Sequence, residues 1–223
     1  MLTQLLKRVF APALTCLLIA LCLPAAKRGI SDINTYPVRY DIQRWQNENR
    51  TPTPTELADA QTAIQLAIDW NQSPELYDYQ GRLFHYEALI AENSSQATNA
   101  LQNALQSYQH SSSLRKQWPY SQANVALMKA LLGEFDQEYL NMLRQSATNG
   151  PWENGVNLAL TEAGLLGWVN LNKQDKHLIV ENIQRGIRRN MRHMKVIISQ
   201  YNKLSLVCAN IQRDRYQKQL CGA

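Results

Sequence analysis

Apolar side chains recur at three- and four-residue spacing along most of this chain, and proline and glycine punctuate the pattern. Val125, Met128, Leu131 and Leu132 keep one face until Gly133, and Phe135, Tyr139, Met142 and Leu143 restart it until Gly150-Pro151. This predicts a helix, a tight turn and a second helix. Upstream, Ala60, Ile64 and Ala67 precede Pro74, while Tyr77, Gly81 and Phe84 are followed by Ala97, Leu101 and Ala104. Val-, Ile- and Thr-rich runs of period two are missing, as are hairpin dipeptides between strands, so the expected fold class is all-α. Asn149-Gly150 falls at a helix end, where a left-handed cap suits it.

The turn Gly133-Glu134-Phe135-Asp136 resembles the one between the two helices of a tetratricopeptide repeat, and Pro151 lies where such a repeat ends. On that register Gln122 stands at the usual tryptophan place and Val125-Ala126 at the leucine-glycine pair. Glu138 and Gln145 replace two small alanines. Tyr77, Gly81 and Phe84 fit a first repeat helix, Ala97, Leu101 and Ala104 a second, and Ala60, Ile64 and Ala67 repeat the second-helix spacing. The expected architecture over residues 55–223 is therefore a right-handed array of antiparallel helix pairs, a tetratricopeptide-like superhelix. The alternative is an irregular bundle in which the same stripes are only core.

In such arrays the first helices line a concave groove. The register places Asp78, Arg82, His85 and Tyr86 there, then Tyr120, Asn124 and Leu127, then Asn154, Asn157 and Thr161. These mixed polar positions suit a sugar chain or a peptide, or simply a solvated helix face.

Residues 174–201 carry the longest unbroken helical pattern. Val180, Ile183, Ile187, Met191, Met194, Ile198 and Tyr201 fall within roughly a quarter turn of the wheel, with Arg185, Arg188, Arg189, Arg192 and Lys195 on the opposite side. This basic amphipathic helix either closes the array with its apolar stripe or also offers its charged face to anionic lipid or an acidic polymer.

Charge is distributed unevenly. Residues 27–172 hold ten Lys/Arg against fifteen Asp/Glu, and 173–223 hold eleven against three, so the net +5 is local to the tail. Acidic polysaccharide, anionic head groups and nucleic acid are all electrostatically suitable partners, and compartment decides among them.

Compartment comes from the N-terminus. Lys7-Arg8 precede an apolar run from Val9 to Ala26, and Lys27-Arg28 close it. Residues 1–28 read as an export signal or a short membrane anchor. Leu23 or Pro24 would occupy the third position before a cut after Ala25 or Ala26, and leucine beside Cys22 is wrong for lipid attachment. An uncleaved inner-membrane anchor with the body facing the periplasm is expected, although positive residues flank both ends of the run. Residues 29–54, with Pro37, Pro52 and Pro54, read as a polar linker holding at most a short helix over 41–50, and Thr55 as the next N-cap. Outside the anchor only Cys208 and Cys221 remain, a pair able to close a disulfide in an oxidising compartment or to stay as two unrelated thiols.

The wider pattern combines GEFD (133–136), GPWENGV (150–156) and GLLGWVNL (164–171) with a following basic helix and a last cysteine near the C-terminus. It resembles the VpsP family of bacterial polysaccharide-biosynthesis proteins over roughly residues 55–221, and is similar also to the helical-repeat tails of some O-antigen ligases. The resemblance implies a role in making or exporting a cell-surface polysaccharide, and carries no catalytic residues.

Motifs for chemistry are missing. His85, His110, His177 and His193 stand alone without metal-ligand spacing, and there is neither a phosphate loop nor a Gly-x-Ser-x-Gly elbow. No cofactor or metal is expected. The expected function is a non-enzymatic, membrane-anchored scaffold for polysaccharide biosynthesis or export, with other assembly proteins, and also acidic polysaccharide or anionic lipid, as partners. The alternatives are a periplasmic carbohydrate-active enzyme and a nucleic-acid or anionic-lipid binder acting through the basic helix. The anchor argues against nucleic acid.

Overall fold

The computed structural model describes residues 2–222, and every regular element among them is helical. The order is α1 (Leu2–Glu48), α2 (Pro54–Trp70), α3 (Pro74–Ile90), α4 (Ser94–Leu114), α5 (Pro119–Leu131), α6 (Gln137–Asn149) and α7 (Asn154–Leu166). A 3-10 turn (Trp168–Asn170) leads to α8 (Lys173–Gln200), α9 (Leu204–Asn210) and α10 (Arg215–Cys221). α1 packs on α2, α3 on α4, α5 on α6 and α7 on α8, while α4–α5 and α5–α7 contacts join the pairs.

Contrary to the expected linker, residues 29–48 continue α1 without a break, straight through Pro37. Burial explains this. Ser31, Thr35, Val38, Ile42 and Trp45 recur on one helical face, are all nearly inaccessible, and pack against α2. A mid-helix proline costs about 3 kcal/mol, whereas burying Val38, Ile42 and Trp45 contributes about 2 kcal/mol or more each, so packing wins. Ser31 ties the two helices further by donating from Oγ to the Ala67 carbonyl (2.9 Å).

The helix start expected at Thr55 lies two residues earlier. Thr53 accepts from the Glu56 amide (3.2 Å), Glu56 accepts from the Thr53 amide (2.9 Å), and Pro54 occupies the first turn. At its far end α1 is apolar and uncovered: Pro12–Glu48 is long and apolar enough to cross a membrane, with a mean hydropathy of 1.6 in its most apolar window.

Two cores result. A smaller one joins α1, α2 and α3 around Trp45, Ile64 and Leu83, and a larger one runs from α4 to α10 around Met128, Tyr139, Leu160 and Ile183. The α5–α6 turn is built as its sequence requires. Gly133 takes a φ of 77°, the left-handed region that glycine tolerates. Asp136 caps α6 by accepting from the Tyr139 amide (3.0 Å). Lys129, only 4% exposed, is held there by Glu134, Asp136 and Glu138 at 2.9, 2.9 and 3.2 Å. Burial opposes its charge, but the three carboxylates outweigh this and raise its pKa.

Gln122, at the place a repeat would give to tryptophan, is fully buried and serves as a polar hub. It donates to the Lys116 carbonyl (2.8 Å) and to Gln145 (3.1 Å), and accepts from Asn149 (3.0 Å).

The basic helix is not one straight rod. Asn190 has non-helical angles (φ −148°, ψ 67°), and α8 folds back there. Thr161 touches both Asn182 (3.0 Å) and Met194 (3.8 Å), which a straight helix would hold about 18 Å apart along its axis. Gly186 makes the fold-back possible, because a Cβ there would lie 2.7 Å from the Met194 sulfur.

Candidate functional site

α3, α5 and α7 share one face of the molecule, and a groove runs across it. Its lower part is about 470 Å³ and is lined by Asp78, Tyr79 and Arg82 of α3, by Arg115 and Trp118 before α5, and by Tyr120 and Asn124 within it. Its upper part is about 290 Å³, with His85, Tyr86, Leu127, Leu158 and Glu162 among its walls. Arg82 and Asn124 line both parts, so the two parts adjoin at these residues.

Each side chain is positioned by packing beneath it. Gly81 lets α3 approach α4 so closely that a Cβ would meet the Tyr108 ring at 2.9 Å. Tyr108 thereby forms part of the upper floor and is 2% exposed. Asp78 accepts from Ser121 Oγ (2.8 Å), and the Ser121 and Ser111 hydroxyls bond each other (2.9 Å), tying α3, α4 and α5 at the groove's lower end. Burial raises the Asp78 carboxyl above its ordinary value despite these bonds. Burial, and then the Arg82 charge, pushes His85 down to about 4, so its ring is neutral at pH 7.

At the open end, the Arg115 guanidinium lies 3.6 Å over the Trp118 ring, and Trp118 sits 5.3 Å from Tyr120. Tyr120 donates its hydroxyl to Glu153, and burial together with that carboxylate pushes it up to about 12. On the α7 wall Glu162 accepts from Tyr201 (2.6 Å), and burial raises its carboxyl.

Of the groove positions read from the sequence, Asp78, Arg82, His85, Tyr86, Tyr120, Asn124 and Leu127 line it. Asn157 and Thr161 do not: both are fully buried, facing α8. Asn157 donates to Asn182 (2.9 Å) and to the Pro151 carbonyl (3.1 Å), and Asn182 donates back to the Asn157 carbonyl (3.0 Å) and to Thr161 (3.0 Å). The helical phase explains the correction. Asn154 opens α7, and Gly155, Leu158, Ala159 and Glu162 present the groove face. Arg115, Trp118 and Glu162, which also line the groove, were missed. The signal for the first two was the aromatic and basic run Arg115-Lys116-Gln117-Trp118 before Pro119.

The basic positions are split by the bend in α8. Arg188 pairs with Asp214 (2.9 Å) and Arg185 reaches Glu181 (3.7 Å). Arg189, Arg192 and Lys195 are exposed and make no ion pair among the described residues. Cys208 and Cys221 are bonded, with Cα atoms 5.9 Å apart, and close the C-terminal helices on each other.

Chemically the groove offers the partly buried carboxyls of Asp78 and Glu162, the guanidiniums of Arg82 and Arg115, the His85 imidazole, the Asn124 amide and several aromatic edges. Among the described residues no three His, Cys, Asp or Glu side chains are grouped to hold a metal ion. No family model, curated protein or solved structure matches this chain.

Proposed function

We propose that this chain is a non-enzymatic, membrane-anchored helical scaffold that docks components of a bacterial cell-surface polysaccharide assembly or export machine. The observation that carries the reading is the two-part groove on α3, α5 and α7, in a body that packs on the same α1 whose apolar stretch is long enough to span a bilayer. Its mixed lining suits an extended segment of a partner protein, with Arg82 and Asn124 at its centre and Asp78, Tyr79, Tyr86 and Trp118 around them. The segment 133–171 supports the pathway through its resemblance to polysaccharide-biosynthesis proteins. The Cys208–Cys221 bond supports an oxidising compartment, and with it a body on the periplasmic side of the inner membrane.

The test compares a deletion strain with one carrying Arg82→Glu and Asn124→Arg in the chromosomal copy. Both are expected to lose or shorten the surface polysaccharide, with the variant chain present at normal amounts in the membrane fraction. Normal polysaccharide in the deletion strain would sink the pathway. Loss in the deletion strain alone would sink the groove.

A further inference from the structure

The helices of the body alternate in direction, so its loops fall at two ends, and these ends differ in chemistry. One end lies where α1 leaves its apolar stretch. Ser31 bonds Ala67, so Arg28 and Trp70, each three residues further along its helix, stand at about the same level. Ser111 bonds the Pro74 carbonyl, which brings the end of α4, with Arg115 and Lys116 after it, to that same end. Gly150 lies against Pro119, where a Cβ would be 2.7 Å away, and Trp152 follows it. Asn157 bonds Asn182, so the bend of α8 at Asn190, with Arg189 and Arg192 beside it, projects beyond the start of α7.

Thus the loops level with Arg28 gather exposed cations and two exposed tryptophans, Trp70 (45%) and Trp152 (54%). Acids at this end are largely engaged: Arg39 holds Asp32 and Glu75, Gln65 donates to Asp69, and Tyr120 donates to Glu153. The opposite end carries Glu48, Glu92, Glu134 and Asp136 in its loops and caps, but Arg50 pairs with Glu48, and Lys129 pairs with Glu134 and Asp136. Lys173 and Lys176 open α8 there, so what sets the Arg28 end apart is its exposed arginines and tryptophans. Exposed tryptophan and arginine on the side where an apolar helix emerges match the interface of a bilayer with anionic head groups.

We infer that the Trp70–Lys116–Trp152–Arg189 end of the body rests on the anionic surface of the bilayer that α1 enters. This rests on α1 being a membrane anchor, and it adds an orientation: the helices stand on the membrane and the groove's Trp118 mouth opens close to the head groups. The occupant is the lipid surface, because α1 fixes this end beside it and the charges are complementary. The unbroken α1 leaves no slack segment through which the body could turn away.

The full chain in nanodiscs tests this, using one photoactivatable probe in the acyl region and one at the head group, with labelled peptides located by mass spectrometry. In discs containing phosphatidylglycerol the acyl probe is expected in residues 12–26 and the head-group probe in 115–118, 152 and 189–192. A Lys116→Glu, Arg189→Glu, Arg192→Glu variant should lose loop labelling by about tenfold or more, and labelling should fall similarly in purely zwitterionic discs. Acyl labelling of 12–26 with unlabelled loops overturns the docking while the anchor stands. Loop labelling without acyl labelling keeps the surface contact and removes the anchor. Equal loop labelling in the variant, or protection of the loops by an acidic polysaccharide in preference to the anionic disc, overturns the lipid assignment.

Discussion

At the scale of single residues, burial rather than sequence motif sets the chemistry of the groove. His85 is half-buried beside Arg82, and its pKa is depressed to about 4 from an unfolded value near 6.5. The unfolded chain therefore binds more protons between these values, so the contribution of the neutral ring is complete above pH 6.5 and is lost as pH falls through 4. Burial raises the nearby Asp78 and Glu162 carboxyls, which acts in the opposite sense. Comparison with His85→Gln isolates the imidazole: between pH 7 and 4.5 the natural chain should lose about 2 kcal/mol more unfolding free energy than the variant. Parallel denaturation curves would mean that the ring takes its proton within the fold. Residue identity alone concealed this, as it concealed Asn157 and Thr161. A polar residue reads as surface until the partner that satisfies it is known, and here the partner is Asn182, one helix away.

At the scale of elements, the sequence was most legible where local chemistry and packing agree. Gly133, Asp136 and the apolar stripes on either side announce the α5–α6 hairpin, and the structure builds it from those residues. It was least legible where a distant partner overrides a local signal. Pro37 reads as a break, yet Trp45 and Val38 bury against α2 and hold the helix through it. Asn190 reads as one more residue of an amphipathic wheel, yet Met194 closes onto Gly186 and bends the chain. Glycine separates local from tertiary effects within helices. Gly81→Ala should force α3 off the fully buried Tyr108 ring and lower stability by roughly 1–3 kcal/mol. Gly29→Ala meets nothing within 4 Å and should be neutral or stabilise α1 by up to about 1 kcal/mol. Urea midpoints that shift equally for the two would refute the close approach of α3 and α4.

For the whole molecule, the determining features are a rigid connection at one terminus and a covalent clasp at the other. The continuous α1 means that any movement of its apolar N-terminal stretch is transmitted to the Trp45 core, which a flexible tether would not do. The Cys208–Cys221 bond closes a 13-residue separation and, in the loop-entropy model, stabilises the C-terminal helices by about 3 kcal/mol. Cys16 and Cys22 lie on the exposed apolar stretch, within what would be the bilayer, so a bulky, water-soluble thiol reagent addresses the body pair alone. On intact spheroplasts, the closed pair and the proposed outward-facing body together predict labelling of Cys208 and Cys221 only after a reductant is added. Labelling that needs a permeabilised inner membrane instead, without reductant, would put the body in the cytoplasm with free thiols. The basic bend of α8 would then face the inner leaflet, and the polysaccharide role would lose its compartment.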